Sequence, residues 1–160
     1  MVMDKVINVK LAGLGGQGVI RASDILAETA FRYGLDVKKS ELHGMSQRGG
    51  SVSSDVRFGP QVWSTMIPAG EADILLVVSP DQVENNQSSL KAGGVLIRPE
   101  MIDETQLENK KALNIALLGV LSSCLEIPEN TWLETIRESF ADTFYPANEQ
   151  AFRLGRKVKL

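Results

Sequence analysis

The stretch VINVKLAGLGGQGVIRASDILAETAFRYG, Val6 to Gly34, decides the fold. Valine and isoleucine stand close together and run into glycine, which predicts a buried first strand over Lys5–Ala12. A glycine-rich turn, Gly13 to Gly18, follows directly. From Val19 to Tyr33 the residues Ala22, Ile25, Leu26, Thr29, Ala30 and Tyr33 keep helical spacing, and Gly34 suits the left-handed residue that closes a helix. The unit is strand, glycine turn, helix.

Downstream, LDVKKS resembles a second strand. SVSSDVRF alternates strictly, with Val52, Val56 and Phe58 on one face and Ser51, Ser53, Asp55 and Arg57 on the other. Gly59-Pro60 ends it, and a return through QVWSTM is expected to form an antiparallel hairpin. ADILLVVS is the continuous apolar run of a strand buried on both faces. DQVENNQSSLKAGG is expected to be a helix closed by its glycines, and VLIRP the next strand. Three further helices are expected in KKALNIALLGVLSSCL, ENTWLETIRESFADTF and ANEQAFRLGRKV, separated by Pro128 and Pro146. The expected class is α/β: a three-layer α/β/α, Rossmann-like sandwich with a mostly parallel sheet, a β-hairpin insertion and a helical C-terminal part. A chain of 160 residues suits a single domain, 1–160, with one core.

Composition narrows the function. With 43% apolar and 23% charged residues the chain should fold without long disorder. A net charge of −3, with the basic residues dispersed apart from RLGRKVK, argues against nucleic acid as a partner. The longest apolar runs fall far short of the roughly 20 residues that span a bilayer. MVMDKVINVK interleaves acid and base with no signal-like apolar core, so a cytoplasmic location is expected. Cys124 is the only cysteine, which excludes an internal disulfide and a cysteine-ligated cluster within one chain.

Two loops carry the chemistry. GLGGQG satisfies G-x-G-x-x-G at Gly13, Gly15 and Gly18, between a strand and a helix. There glycines let an anionic or carbonyl group approach backbone N–H groups at the positive end of a helix, or simply let helix and strand pack closely. A dinucleotide site also needs a ribose-binding acid about 20 residues on. Glu41 is the nearest, but HGMSQRGG follows and crowds it, and Asp36 lies at the wrong end of its strand. In the second loop Arg48 precedes Gly49 and Gly50, a fixed cation beside open backbone, with Gln47 and the chain's only histidine, His43, close by. Arg48 can equally pair with a surface carboxylate, and His43 can be structural. Both loops leave carboxyl ends of strands, where α/β sheets bind ligands. His43 and Arg48 are the catalytic candidates, and no metal site is expected.

GLGGQGV followed by SELHGMSQRGGSVSSDVRFG resembles the gamma subunit or domain of 2-oxoacid:ferredoxin oxidoreductases. HGMSQRGGSV with MIPAGEAD is most similar to the beta subunits of the indolepyruvate branch, and the likeness extends through NIALLGVL to PANEQAFRLG. The resemblance implies a share in the oxidative decarboxylation of an aryl pyruvate to an acyl-CoA, with coenzyme A as acyl acceptor and ferredoxin as electron acceptor. That chemistry uses thiamine diphosphate and iron–sulfur clusters. This chain has no G-D-G to open a thiamine diphosphate motif and a single cysteine, so both cofactors are expected in a larger partner subunit. The chain alone should be an inactive accessory subunit, able to self-associate when isolated. Gly13, Gly15, Gly16, Gln17 and Gly18, with His43, Gln47, Arg48, Gly49 and Gly50, would then face substrate, coenzyme A or partner. Other branches of the superfamily (pyruvate, 2-oxoglutarate, branched-chain 2-oxoacids), a free-standing dinucleotide-binding oxidoreductase and a non-catalytic scaffold are the alternatives.

Overall fold

A computed structural model describes residues 3–44 and 49–160. Five strands form one sheet: β1 (Ile7–Leu14), β2 (Asp36–His43), β3 (Ser51–Gly59), β4 (Ala72–Val77) and β5 (Leu90–Ile97), in the order β2-β3-β1-β4-β5. β1, β4 and β5 pair in parallel, whereas β3 lies antiparallel to both β1 and β2. Four strands therefore point one way and only β3 is reversed, so the sheet is mixed. Every residue of β4 is buried, as its unbroken apolar sequence requires.

The helices are α1 (Val19–Arg32), α2 (Val83–Asn86), α3 (Leu113–Ser122), α4 (Glu129–Ser139) and α5 (Tyr145–Arg156). Ile7, Val9, Leu11, Val56, Phe58, Ile74 and Leu76 turn one sheet face towards α1 and α3, with Trp132 of α4 and Phe152 of α5 in the same core. α3 is buried from Asn114 to Ser122, which explains an apolar sequence without an amphipathic stripe. On the opposite face Ala12, Leu75 and Val77 pack with Val83, Leu90 and Leu96, so the short helical segment 80–89 is the third layer. Towards β3 that face is covered by a loop: Arg57 donates to the Ser64 carbonyl at 3.0 Å, and Ile67 N–H donates to Asp55 at 3.1 Å.

Three expectations are corrected. The hairpin partner of β3 is β2, which pairs with it from Asp36↔Gly59 to His43↔Val52, and QVWSTM is not a strand. Its backbone leaves the sheet after Gly59, where Val62 N–H donates to Asp36 at 2.7 Å. Second, the helical segment stops at Ser89 and Lys91-Ala92-Gly93-Gly94 belongs to β5. Gly93 has φ 77° beside a register shift against β4, so the glycines form a bulge and not a helix cap. Third, Pro146 lies in the first turn of α5, where a missing N–H costs nothing, and not between helices. Among the described residues no helix is long and apolar enough to cross a membrane.

α3 and α5 cross at backbone contact. A Cβ built on Gly119 would lie 2.1 Å from the Phe152 carbonyl oxygen, and one on Gly155 would lie 1.8 Å from that of Ala116. This crossing seats α5 on α3, whose first turn reaches the glycine loop.

Candidate binding site at the glycine turn

β1 delivers the chain to Leu14, and α1 begins at Val19 with Gly18 in the left-handed conformation at φ 79° as its cap. Gly18 has no side chain with which to cap α1, so among the described residues the first-turn N–H groups are open to another acceptor. Gly18 is also pressed from outside, since a Cβ there would lie 2.3 Å from Asn114 Nδ2. Asn114, 6% exposed, donates that nitrogen to the Gly18 carbonyl at 3.1 Å, tying the turn to α3. Gln17 folds inward, its Oε1 accepting the Leu14 N–H at 2.7 Å, so this oxygen braces the turn. Gly13 is a packing residue: a Cβ would strike Val19 Cγ2 at 2.8 Å.

The two glycine loops meet. Gly15 N–H donates to the Gly50 carbonyl at 2.8 Å, and a Cβ on Gly15 would sit 3.5 Å from Gly49 N. Gly49 has φ 64°, open to glycine at little cost. Gly44 N–H donates to the Ser51 carbonyl at 2.6 Å, closing the base of the β2–β3 connection. Gly15, Gly16, Gly18, Arg21, His43 and Val52 line a cleft of about 420 Å³. Gln47 and Arg48 lie outside the described residues.

His43 ends β2 with its side chain 61% exposed and Nε2 3.7 Å from Glu41 Oε2, beyond hydrogen-bond length. Lys39 joins Glu41 to Asp24, meeting Asp24 at 2.6 Å. The Lys39 ammonium holds the Glu41 carboxyl below the usual glutamate range, with a smaller contribution from His43. His43 also walls a second, polar cleft of about 360 Å³ with Lys10, Ser51, Ser53, Gln82 and Asn86. The imidazole thus stands between two clefts, able to donate or accept in either.

This geometry is unlike a dinucleotide site. The ribose acid normally ends the strand beside the glycine turn, but β3 separates β1 from β2, putting Glu41 two strand spacings, about 10 Å, away and engaged with Lys39. Nor do the residues fit the cofactors of 2-oxoacid oxidation. Among the described residues no group of three His, Cys, Asp or Glu could hold a metal ion. Cys124 lies in the turn beyond the far end of α3 from Asn114, and burial pushes its thiol up. Among the described residues the site offers backbone N–H groups, the His43 imidazole and the Arg21 guanidinium, a set that can bind and orient.

Asn114 and Arg21 lie outside both sequence motifs. A lone asparagine within KALNIALL was a signal, because a buried amide needs a designated acceptor. Arg21 carried none, since one arginine on an amphipathic helix is ordinary.

Comparison with known proteins agrees with this architecture. Residues 8–105, more than half the chain, match the family described as pyruvate ferredoxin/flavodoxin oxidoreductase. The indolepyruvate oxidoreductase subunit IorB of Thermococcus kodakarensis is 31% identical, with 96% of each chain covered. The gamma subunit of a keto/oxoacid ferredoxin oxidoreductase from Geobacter sulfurreducens superposes with TM-score 0.80 at 23% identity, covering 94% of this chain and 96% of that one. A 2-oxoglutarate:ferredoxin oxidoreductase from Magnetococcus marinus, solved with 2-oxoglutarate, coenzyme A and succinyl-CoA, superposes with TM-score 0.82 at 21% identity. It covers 96% of this chain but only 31% of that one, so there the same fold is one part of a larger polypeptide. This chain belongs to the pyruvate ferredoxin/flavodoxin oxidoreductase family, as an accessory, gamma-type subunit of a 2-oxoacid:ferredoxin oxidoreductase.

Proposed function

We propose that the chain serves an indolepyruvate-type enzyme, which oxidatively decarboxylates an aryl pyruvate to its acyl-CoA and passes the electrons to ferredoxin. The observation that carries this reading is the match to an indolepyruvate oxidoreductase subunit over 96% of both chains. Thiamine diphosphate and iron–sulfur clusters reside in a larger partner subunit: the sequence has a single cysteine and no G-D-G, and among the described residues no group of three His, Cys, Asp or Glu could hold a metal ion. The chain works in the cytoplasm as one domain, 1–160. Its contribution is the paired glycine loops. Backbone N–H groups at the start of α1, His43, and Arg48 with Gln47 from the second loop meet the substrate, coenzyme A or the partner's surface around its active centre. Electrostatic preorganisation of that kind acts without the chain holding a reactive group of its own.

Co-expression with the thiamine- and cluster-bearing subunit tests the reading. The chain alone should be colourless and should not reduce viologen with indolepyruvate and coenzyme A, whereas the co-purified pair should do so. Arg48→Ala should leave the melting temperature near wild type while weakening assembly or turnover, because a charge pair desolvated on binding is worth several kcal/mol, against under about 1 kcal/mol for a surface ion pair in folding. Turnover or stoichiometric iron in the lone chain overturns the proposal. Preference of the pair for pyruvate or 2-oxoglutarate would move the chain to another branch.

A further inference from the structure

We propose that a second cleft, beside the first turn of α1, binds an organic anion: a carboxylate or phosphate carried on an aromatic or apolar body. The cleft, of about 630 Å³, is walled by Arg21 of α1, Lys111 ahead of α3, Phe140 and Phe144 from the α4–α5 connection, and the amides of Asn114 and Asn148. That volume is within the usual range for small-molecule sites. No carboxylate lines it among the described residues. Elsewhere in this acidic chain, by contrast, Arg32, Lys39, Lys91 and Arg153 each meet a carboxylate. Two cationic residues bordering one concave space, without a carboxylate in its described wall, leave their field to a ligand.

Arg21 is placed for this. Arg21 donates Nη1 to the Ser139 carbonyl and stands 5.1 Å from the centre of the Phe140 ring, which fixes the guanidinium while leaving other N–H groups available. Lys111 borders the cleft just ahead of α3, its backbone held there by an N–H that donates to Asn109 Oδ1 at 3.0 Å. Asn114 and Asn148, 6% and 7% exposed, each use one amide hydrogen on a backbone carbonyl, of Gly18 and Phe144 respectively, and keep a second. Phe144 is 55% exposed, an aromatic face for the rest of the ligand. The proposal is independent of the partner subunit and of the substrate branch, although Gly18 and Arg21 also border the glycine-turn cleft.

The test is an amide-resolved NMR titration of the full chain with inorganic phosphate, phenyl phosphate and phenylacetate. Saturable shifts confined to the amides of Gly18, Arg21, Lys111, Ala112, Ala141 and Phe144 are expected with at least one aryl anion. The better aryl probe identifies phosphate or carboxylate as the preferred head group. Lys111→Gln should weaken that probe about tenfold, the equivalent of one charge-assisted hydrogen bond, while Lys159→Gln in the exposed tail should not. Phe144→Ala should weaken the aryl probe but leave inorganic phosphate unchanged. Each variant's unperturbed spectrum reports whether it is folded. The proposal is overturned if neither aryl anion saturates these amides, or if Lys111→Gln and Lys159→Gln weaken binding equally.

Discussion

Gly155→Ala tests the crossing that holds the helical layer together. The added Cβ would lie 1.8 Å from the Ala116 carbonyl oxygen, and ordinary contact begins near 3.4 Å, so α3 and α5 must part by about 1.6 Å. Both atoms belong to helix backbones, so no rotamer change relieves the clash. A gap of only 0.5–1 Å already forfeits roughly a quarter to a half of the dispersion attraction across it. Phe152, buried on α5 with its ring 5.8 Å from that of Trp132, would move with the helix. Overpacking of this kind costs about 3 kcal/mol or more, against a gain of about 1 kcal/mol from replacing a helical glycine by alanine. The net expectation is destabilisation by about 2–4 kcal/mol, a fall of about 5–12 °C in Tm, read by calorimetry and by the urea midpoint at unchanged m-value. The sign decides the matter. If α3 and α5 did not touch, helix propensity alone would make the variant more stable, so a Tm at or above wild type refutes the close crossing. Gly119→Ala should act in the same direction, and the double variant should lose less than the sum, because one separation relieves both contacts.

Gly18→Ala should destabilise by about 2–4 kcal/mol, combining a strained positive φ with displacement of Asn114 from its hydrogen bond; adding Asn114→Ala should recover part of the loss in a double-mutant cycle by chemical denaturation. Glu41→Gln should flatten the dependence of Tm on pH in acid. The folded Glu41 carboxyl sits below its ordinary 4.5, so its contribution is present above that pH and disappears as pH falls through the lowered value. Superimposable Tm–pH curves for wild type and variant would show that the Lys39–Glu41 pair is not formed in solution.

Local signals carried much of this protein. Strand β1, the left-handed turn and α1 follow from residues within a few positions of one another: apolar spacing, Gly18 where φ must be positive, and the closing Gly34. Buried β4 and α3 were equally legible, because an unbroken apolar run has to be covered on every side. The glycines show where such reading stops. Gly93 and Gly94 satisfy the demands of a helix cap as well as those of a bulge, and only pairing with β4 selected the bulge. Alternation in β3 revealed its two faces but not its neighbours; insertion between β2 and β1 is a choice among long-range pairings, made when Phe58 and Val56 enter the shared core beside Ile7 and Val9. That choice moved Glu41 away from the glycine turn and joined Gly15 to Gly50. Gly119 and Gly155, 36 positions apart, look like ordinary weak points of two helices until the helices cross. The sequence by itself determined the segments whose neighbours lie along the chain. Only the tertiary structure decided what meets across it, because the free energy of those contacts belongs to pairs of distant residues and appears when both are in place.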